Sequence, residues 1–206
     1  VWADFGVQSG VYSGRWIDRD WKKNDNPHSR AERIWDSALA TVIRDRCRGK
    51  SGTVTEEKKP VTTIAPLLYD LTSLQREAAN RYGFSAKRTL QLAQECYEKH
   101  KVLTYPRTDS RYLPEDYLGK VYGIVGAVAE ENAEFAPFAR DILDNKRVKP
   151  NRRVFDTKKV SDHFAIIPTG KIEKLSGDVQ KLFEMVMARF LAVFFPPAVF
   201  EDTRRT

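Results

Sequence analysis

Thr72-Ser73-Leu74-Gln75-Arg76-Glu77-Ala78-Ala79-Asn80-Arg81-Tyr82-Gly83-Phe84-Ser85-Ala86-Lys87-Arg88-Thr89-Leu90 reads as two helices that meet at one tight turn. Thr72 with Gln75 makes a capping-box pattern, Leu74, Ala78 and Tyr82 share one helical face, and Gly83 suits the left-handed position that ends a helix. Ser85 caps the second helix, in which Ala86, Leu90, Ala93 and Tyr97 point one way. Lys87, Arg88 and Lys99 leave by other faces.

Working outward, Val102-Leu103-Thr104-Tyr105 reads as a strand whose ladder ends at Pro106. Pro114 opens a helix carrying Leu118, Val121, Tyr122, Val125 and Val128 to about Glu131. A last helix from about Asp178 buries Leu182, Phe183, Val186, Phe190, Leu191 and Phe194 until Pro196-Pro197 stops it. Towards the N-terminus, residues 1–28 suggest strand ends and loops. Ser29 with Glu32 caps an amphipathic helix running to about Cys47, and Thr53 to Ile64 reads as strands bent near Pro60. The class is α+β. The helix pair is winged-helix-like or helix-turn-helix-like, an arrangement also common in proteins that never meet DNA.

Composition bounds the function. The 206 residues fit one domain or two small ones. Apolar content of 41% with a mean hydropathy of -0.53 describes a folded, soluble chain. Thirty-five Lys and Arg against twenty-eight Asp and Glu leave +7, a bias that favours polyanionic partners and also serves solubility. Cys47 and Cys96 form no metal or disulfide pattern, which fits a reducing, cytoplasmic interior. No apolar stretch approaches the roughly 20 residues of a membrane span, so no membrane partner is expected.

The polar residues that carry chemistry concentrate in Thr104-Tyr105-Pro106-Arg107-Thr108-Asp109-Ser110-Arg111. A tyrosine can attack a phosphodiester once its proton is lost, which a free phenol allows only near about pH 10 without a nearby cation. Arg107, two residues on along a strand, faces the same side as Tyr105 and suits a nonbridging phosphate oxygen. The plain alternatives are a packed strand-end tyrosine and a surface Arg107–Asp109 pair. Residues 146–159 hold seven cations against the single acid Asp156, which makes Arg152 and Arg153 candidates for the DNA backbone. Lys87 and Arg88 oppose the dipole at a helix start, a placement that suits phosphate contact or a solvated face.

Four motifs occur in order: Leu68-Tyr69-Asp70-Leu71-Thr72-Ser73-Leu74-Gln75-Arg76-Glu77, Gly83-Phe84-Ser85-Ala86, Thr104 to Ser110, and Ser161-Asp162-His163-Phe164-Ala165-Ile166-Ile167-Pro168-Thr169. Together, over residues from about 50 to 200, the chain resembles the type IA DNA topoisomerases, most of all their topoisomerase III branch. The resemblance implies that Tyr105 is the cleaving tyrosine, joined transiently to a 5′ phosphate of single-stranded DNA. Arg107 then stabilises the scissile phosphate and His163 supports it. Asp109 and Ser110 match the family's motif, with a part in orienting His163, ordering the loop or contacting DNA.

The resemblance also implies an architecture: residues 1–65 as part of a β hinge domain with an inserted helix, 66–170 as the catalytic-tyrosine domain, and 171–206 as a helical return towards the hinge. Members of the family bind Mg²⁺ on an acidic Toprim domain, whose Asp-x-Asp after an apolar strand has no counterpart here. Asp18-Arg19-Asp20 sits in a charged loop. The expected chain is therefore a central piece of a monomeric, ATP-independent strand-passing enzyme, inactive alone, without a metal site and partnered in cis by the Toprim domain. Two other classes remain open: a tyrosine recombinase, which usually carries its tyrosine on a helix and not before a proline such as Pro106, and a noncatalytic single-strand-binding module.

Overall fold

A hairpin opens the chain in the computed structural model, which describes residues 1–8 and 10–205. β1 (Trp2–Val7) and β2 (Gly10–Arg15) pair antiparallel in the register Trp2↔Arg15 to Val7↔Gly10. Gly10, at φ +135, takes a conformation that side chains with a Cβ rarely reach. Phe5 stacks on Tyr12 across the pair, with ring centroids 5.2 Å apart. These strands and α1 (Ser37–Cys47) belong to one of the chain's two units, residues 1–57 with the chain end from Arg204; Lys58–Thr203 form the other.

Helix α1 starts seven residues later than the Ser29–Glu32 pattern suggests. The Ser29 hydroxyl is taken by Trp21 Nε1 at 2.8 Å and Asn24 Nδ2 at 3.2 Å, so it caps nothing. Asp36 does so instead, accepting from the Ala38 and Leu39 amides.

In the second unit, α2 (Leu71–Tyr82) and α3 (Ala86–Glu98) confirm the helix pair, with Gly83 left-handed at φ 69 and Ser85 accepting from the Arg88 amide. The cap of α2 is Asp70 with Ser73, not Thr72 with Gln75; Gln75 instead donates to the Ala86 carbonyl at 3.2 Å, tying the helices together. The buried face of α3 is Thr89, Leu92, Ala93 and Cys96, rotated from the expected stripe so that Tyr97 is only half-buried.

The helix α4 (Leu118–Glu131) follows a short 3-10 turn, Glu115–Tyr117, and packs on α5 (Ala136–Asp144), a helix the sequence pattern hid. Helix α5 is only nine residues long, and it buries Ala136, Ala139 and Ile142. The expected α6 (Gly177–Ala192) packs on α3 and supplies Leu182, Val186, Met187 and Phe190 to one continuous core.

Two strands frame this unit. β3 (Glu56–Thr63) is uninterrupted at Pro60, which a two-stranded sheet tolerates because each strand has an open edge. It pairs with β4 (Ala198–Arg205), where a helical return was expected: Pro196 and Pro197 end helical geometry, and the chain continues extended. The result is a mixed α/β fold with small two-stranded sheets. No helix among the described residues is long and apolar enough to cross a membrane.

Beneath the helices lies a charged cluster. Glu77 on α2 receives Arg81 at 2.7 Å and Arg189 of α6, while the Arg189 guanidinium also donates to the Leu67 carbonyl and lies 4.2 Å from the centre of the Tyr69 ring. Burial first, and Glu77 second, push the Tyr69 phenol well above its ordinary ionisation.

Candidate active site

The segment from Leu103 to Ser110 is not a strand. Leu103 forms a single antiparallel bridge to Pro168, which has no N–H to extend a ladder. Thr104 completes the attachment by another route. Its amide donates to the Ile167 carbonyl at 3.0 Å, while its hydroxyl donates to the Ala165 carbonyl at 3.1 Å and accepts from the Ile167 amide at 2.9 Å. A side chain thus replaces the next rung. Strand alternation therefore does not set the relation of Tyr105 to Arg107; a loop pinned to residues 165–168 does.

On that loop Tyr105 is half-buried between two aromatic neighbours. Its ring lies 4.3 Å from the His163 ring, tilted by 46°, and meets Tyr97 edge-on at 5.5 Å and 79°. The structure thus brings Tyr105 and His163, 58 positions apart, into contact. Thr108 Oγ1 donates to the His163 carbonyl at 2.8 Å and Ser161 Oγ donates to Asp109 Oδ1 at 2.5 Å, joining the two loops, while the Leu71 amide at the start of α2 donates to the Thr108 carbonyl at 2.9 Å.

Arg107 is exposed and makes no ion pair or side-chain hydrogen bond with any described residue. The surface pair with Asp109 does not form, because Asp109 is engaged by Ser161. A phosphate reaching Tyr105 would therefore meet a guanidinium without a competing carboxylate bonded to it. Ser110 is different: its buried hydroxyl donates to the Lys159 carbonyl at 3.0 Å and accepts from the Tyr112 amide, so it braces the loop from within.

The outlying cations divide in the same way. Lys87 and Arg152 are exposed and unpaired among the described residues. Arg88 pairs with Asp178 at 3.0 Å, and this hydrogen bond, helped by Lys181, holds the Asp178 carboxyl below the usual carboxylate range. Arg153 is spent on the Ala65 carbonyl. Within the same basic segment Arg147 forks onto Asp141, and Lys159 pairs with Asp156 at 3.2 Å while resting 4.6 Å from the Tyr112 ring centre. The seven cations are thus far from equally available. Among the described residues no three His, Cys, Asp or Glu side chains gather as a metal site would require.

Sequence reasoning missed Tyr97, Thr104, Thr108 and Ser161 as parts of this site. Their only signal is position: two threonines flank Tyr105 at one residue before and three after, and Ser161 stands two before His163. An apolar groove of about 580 Å³, lined by Ile64, Phe135, Phe138, Phe195 and Phe200 among others, contains none of these residues.

Comparison with known proteins identifies the family. Residues 13–206 match the family model described as DNA topoisomerase. The chain is 46% identical over 169 residues to DNA topoisomerase 3 of Bacillus cereus, covering 80% of this chain and 23% of that protein. It is 38% identical over 182 residues to DNA topoisomerase 3 of Bacillus subtilis, covering 85% and 24%. It therefore spans about a quarter of the length of these relatives. The solved structure of full-length topoisomerase I from Thermotoga maritima shares the fold at a TM-score of 0.53 and 24% identity, over 84% of this chain and 28% of that one. With the family model covering nearly the whole chain and the tyrosine motif in place, this chain belongs to the type IA DNA topoisomerases, as part of a topoisomerase III-like member.

Proposed function

We propose that the protein to which this chain belongs cuts and reseals single-stranded DNA through Tyr105. The observation that carries the reading is the contact of the Tyr105 and His163 rings, with an unpaired Arg107 two residues along the chain from Tyr105, in a chain of this family. In the forward step the Tyr105 hydroxyl attacks phosphorus and forms a 5′-phosphotyrosine ester. The 3′ oxygen leaves and gains a proton. Arg107 stabilises the charge that gathers on the nonbridging oxygens, and His163, against the nucleophile's ring, contacts the phosphate or its hydrogen-bond network. Because one phosphoester replaces another, resealing needs no ATP.

The remaining parts of the reading follow from the family. The helix-rich region 66–170 acts as a winged-helix-like tyrosine domain inserted in a hinge domain built from residues 1–65 and the segment after 170. Family resemblance places Mg²⁺ on an acidic Toprim domain elsewhere in the parent; among the described residues no three His, Cys, Asp or Glu side chains gather to hold it. Lys87 and Arg152 guide the strand by its phosphates, with Arg88 and Arg153 as lesser contacts because each already has a partner. The parent works in the cytoplasm as a monomer.

End-labelled single-stranded oligonucleotides incubated with the parent and Mg²⁺, then run on denaturing gels, test this. A covalent adduct on the 5′-phosphate side should vanish on Tyr105→Phe and fall by about 100-fold on Arg107→Ala, the scale for one lost charge-stabilising group. The 206-residue chain alone should form none. A 3′-phosphate link, or an adduct that survives Tyr105→Phe, would overturn both the class and the nucleophile.

A further inference from the structure

We infer that Thr108 is a positioning residue for the cleavage site, holding His163 against the nucleophile through the backbone; the catalytic part of this inference rests on the strand-cleavage reading above. Thr108 is 7% exposed, although its neighbours Arg107 and Asp109 are exposed. A hydroxyl is removed from water here at a cost that only hydrogen bonds offset. Its Oγ1 donates to the carbonyl of His163 itself at 2.8 Å and accepts from the Ser110 amide at 3.0 Å. Both capacities of the hydroxyl are therefore used, one on each loop.

The placement matters because nothing else among the described residues anchors His163 so directly. Its ring is exposed and touches Tyr105 across 4.3 Å between centroids. The next attachment upstream is the Ser161–Asp109 bond at the exposed surface, and the next downstream are the Ala165 amide, which donates to Tyr112 at 3.0 Å, and the Ala165 carbonyl on Thr104. Between them the His163 carbonyl is bonded only by Thr108 among the described residues. Thr108 is in turn fixed by the Leu71 amide at the start of α2, which donates to its carbonyl. The histidine is thus referenced to the helical core through one side chain, three residues from the nucleophile.

Thr108→Val keeps shape and removes both hydrogen bonds, whereas Thr108→Ser keeps the hydroxyl. In the 206-residue chain, the nuclear Overhauser contact between the His163 and Tyr105 rings should weaken in Thr108→Val and persist in Thr108→Ser. In the parent protein, Thr108→Val should slow adduct formation by about tenfold with KM for the oligonucleotide within twofold of wild type, and Thr108→Ser should restore most of the rate. If Thr108→Val does not fold, Thr108→Ala carries the same test, since it leaves room for water at the two freed backbone groups. An undiminished ring contact in the folded variant, or equal losses in the Val and Ser variants, would overturn the inference. A wild-type parent that forms no adduct would overturn the strand-cleavage reading, and the ring contact alone would then decide whether Thr108 positions His163.

Discussion

Arg189→Met tests whether the charged cluster under α2 and α6 organises the helical core. The guanidinium is 13% exposed and its partner Glu77 is 19% exposed, so both have lost most of their water. Methionine fills much of the volume but cannot pair with Glu77, donate to the Leu67 carbonyl or lie as a cation over Tyr69. Breaking a buried pair by removing one partner costs about 3–5 kcal/mol. Two features reduce that here: Glu77 keeps Arg81 at 2.7 Å, and that guanidinium is half exposed. About 2–3 kcal/mol is the resulting expectation. For a chain of this size each kcal/mol lowers Tm by about 2–4 °C, so Tm should fall by roughly 4–12 °C. Thermal melts followed by circular dichroism would measure it. Glu77→Gln should also destabilise, and the double variant should cost less than the sum, because the second change no longer strands a charge. A loss under about 2 °C for Arg189→Met, or strict additivity in the cycle, would refute the reasoning.

The same cluster predicts the effect of Tyr69→Phe. The Tyr69 hydroxyl is buried without a hydrogen-bond partner among the described residues, so its removal should leave stability unchanged or raise it by up to about 1 kcal/mol, read as an equal or higher Tm in the same melts. Acid sensitivity should follow Glu173 and Asp178, whose carboxyls are held below their ordinary range, Glu173 first by Lys171 and then by His100, Asp178 first by Arg88. A depressed carboxyl stabilises above its unfolded value and loses that contribution as pH falls through the folded one, so Tm should drop below about pH 4.5, with a shallower drop in Glu173→Gln and Asp178→Asn. For single-strand binding, Arg152→Ala should lower the salt slope by about 0.7 and Arg153→Ala by less, since Arg153 already serves the Ala65 carbonyl. Equal effects in filter-binding titrations would contradict that ranking.

Local signals in the sequence located the helix pair, the long final helix and the tyrosine motif. Gly83 and Ser85 act through backbone conformation and one short-range bond, so each reports its structure without help from distant residues. The periodic stripe of α6 is similarly self-evident because every member enters one core. Competition between equivalent residues was harder to read. Ser29 carries a cap pattern, but its hydroxyl is taken by Trp21 and Asn24, and Asp36 caps α1 seven residues later.

Residues 102–105 show why the site itself needed the fold. Their apolar and β-branched pattern suits a strand, but a strand also requires a partner with free amides, and the partner here presents Pro168 and gives its Ile167 amide to the Thr104 side chain. The order of motifs named Tyr105, Arg107 and His163 through family resemblance. Composition and spacing alone left Tyr105 as a packed ring and Arg107 as half of a surface pair. That Tyr105 touches His163, that Asp109 turns to Ser161 and so leaves Arg107 unpaired, and that Thr108 reaches the His163 carbonyl are contacts across more than 50 residues of chain. Only tertiary structure decides such contacts, because the sequence specifies which groups can bond, whereas the packing of α2 to α6 determines which of them come within reach.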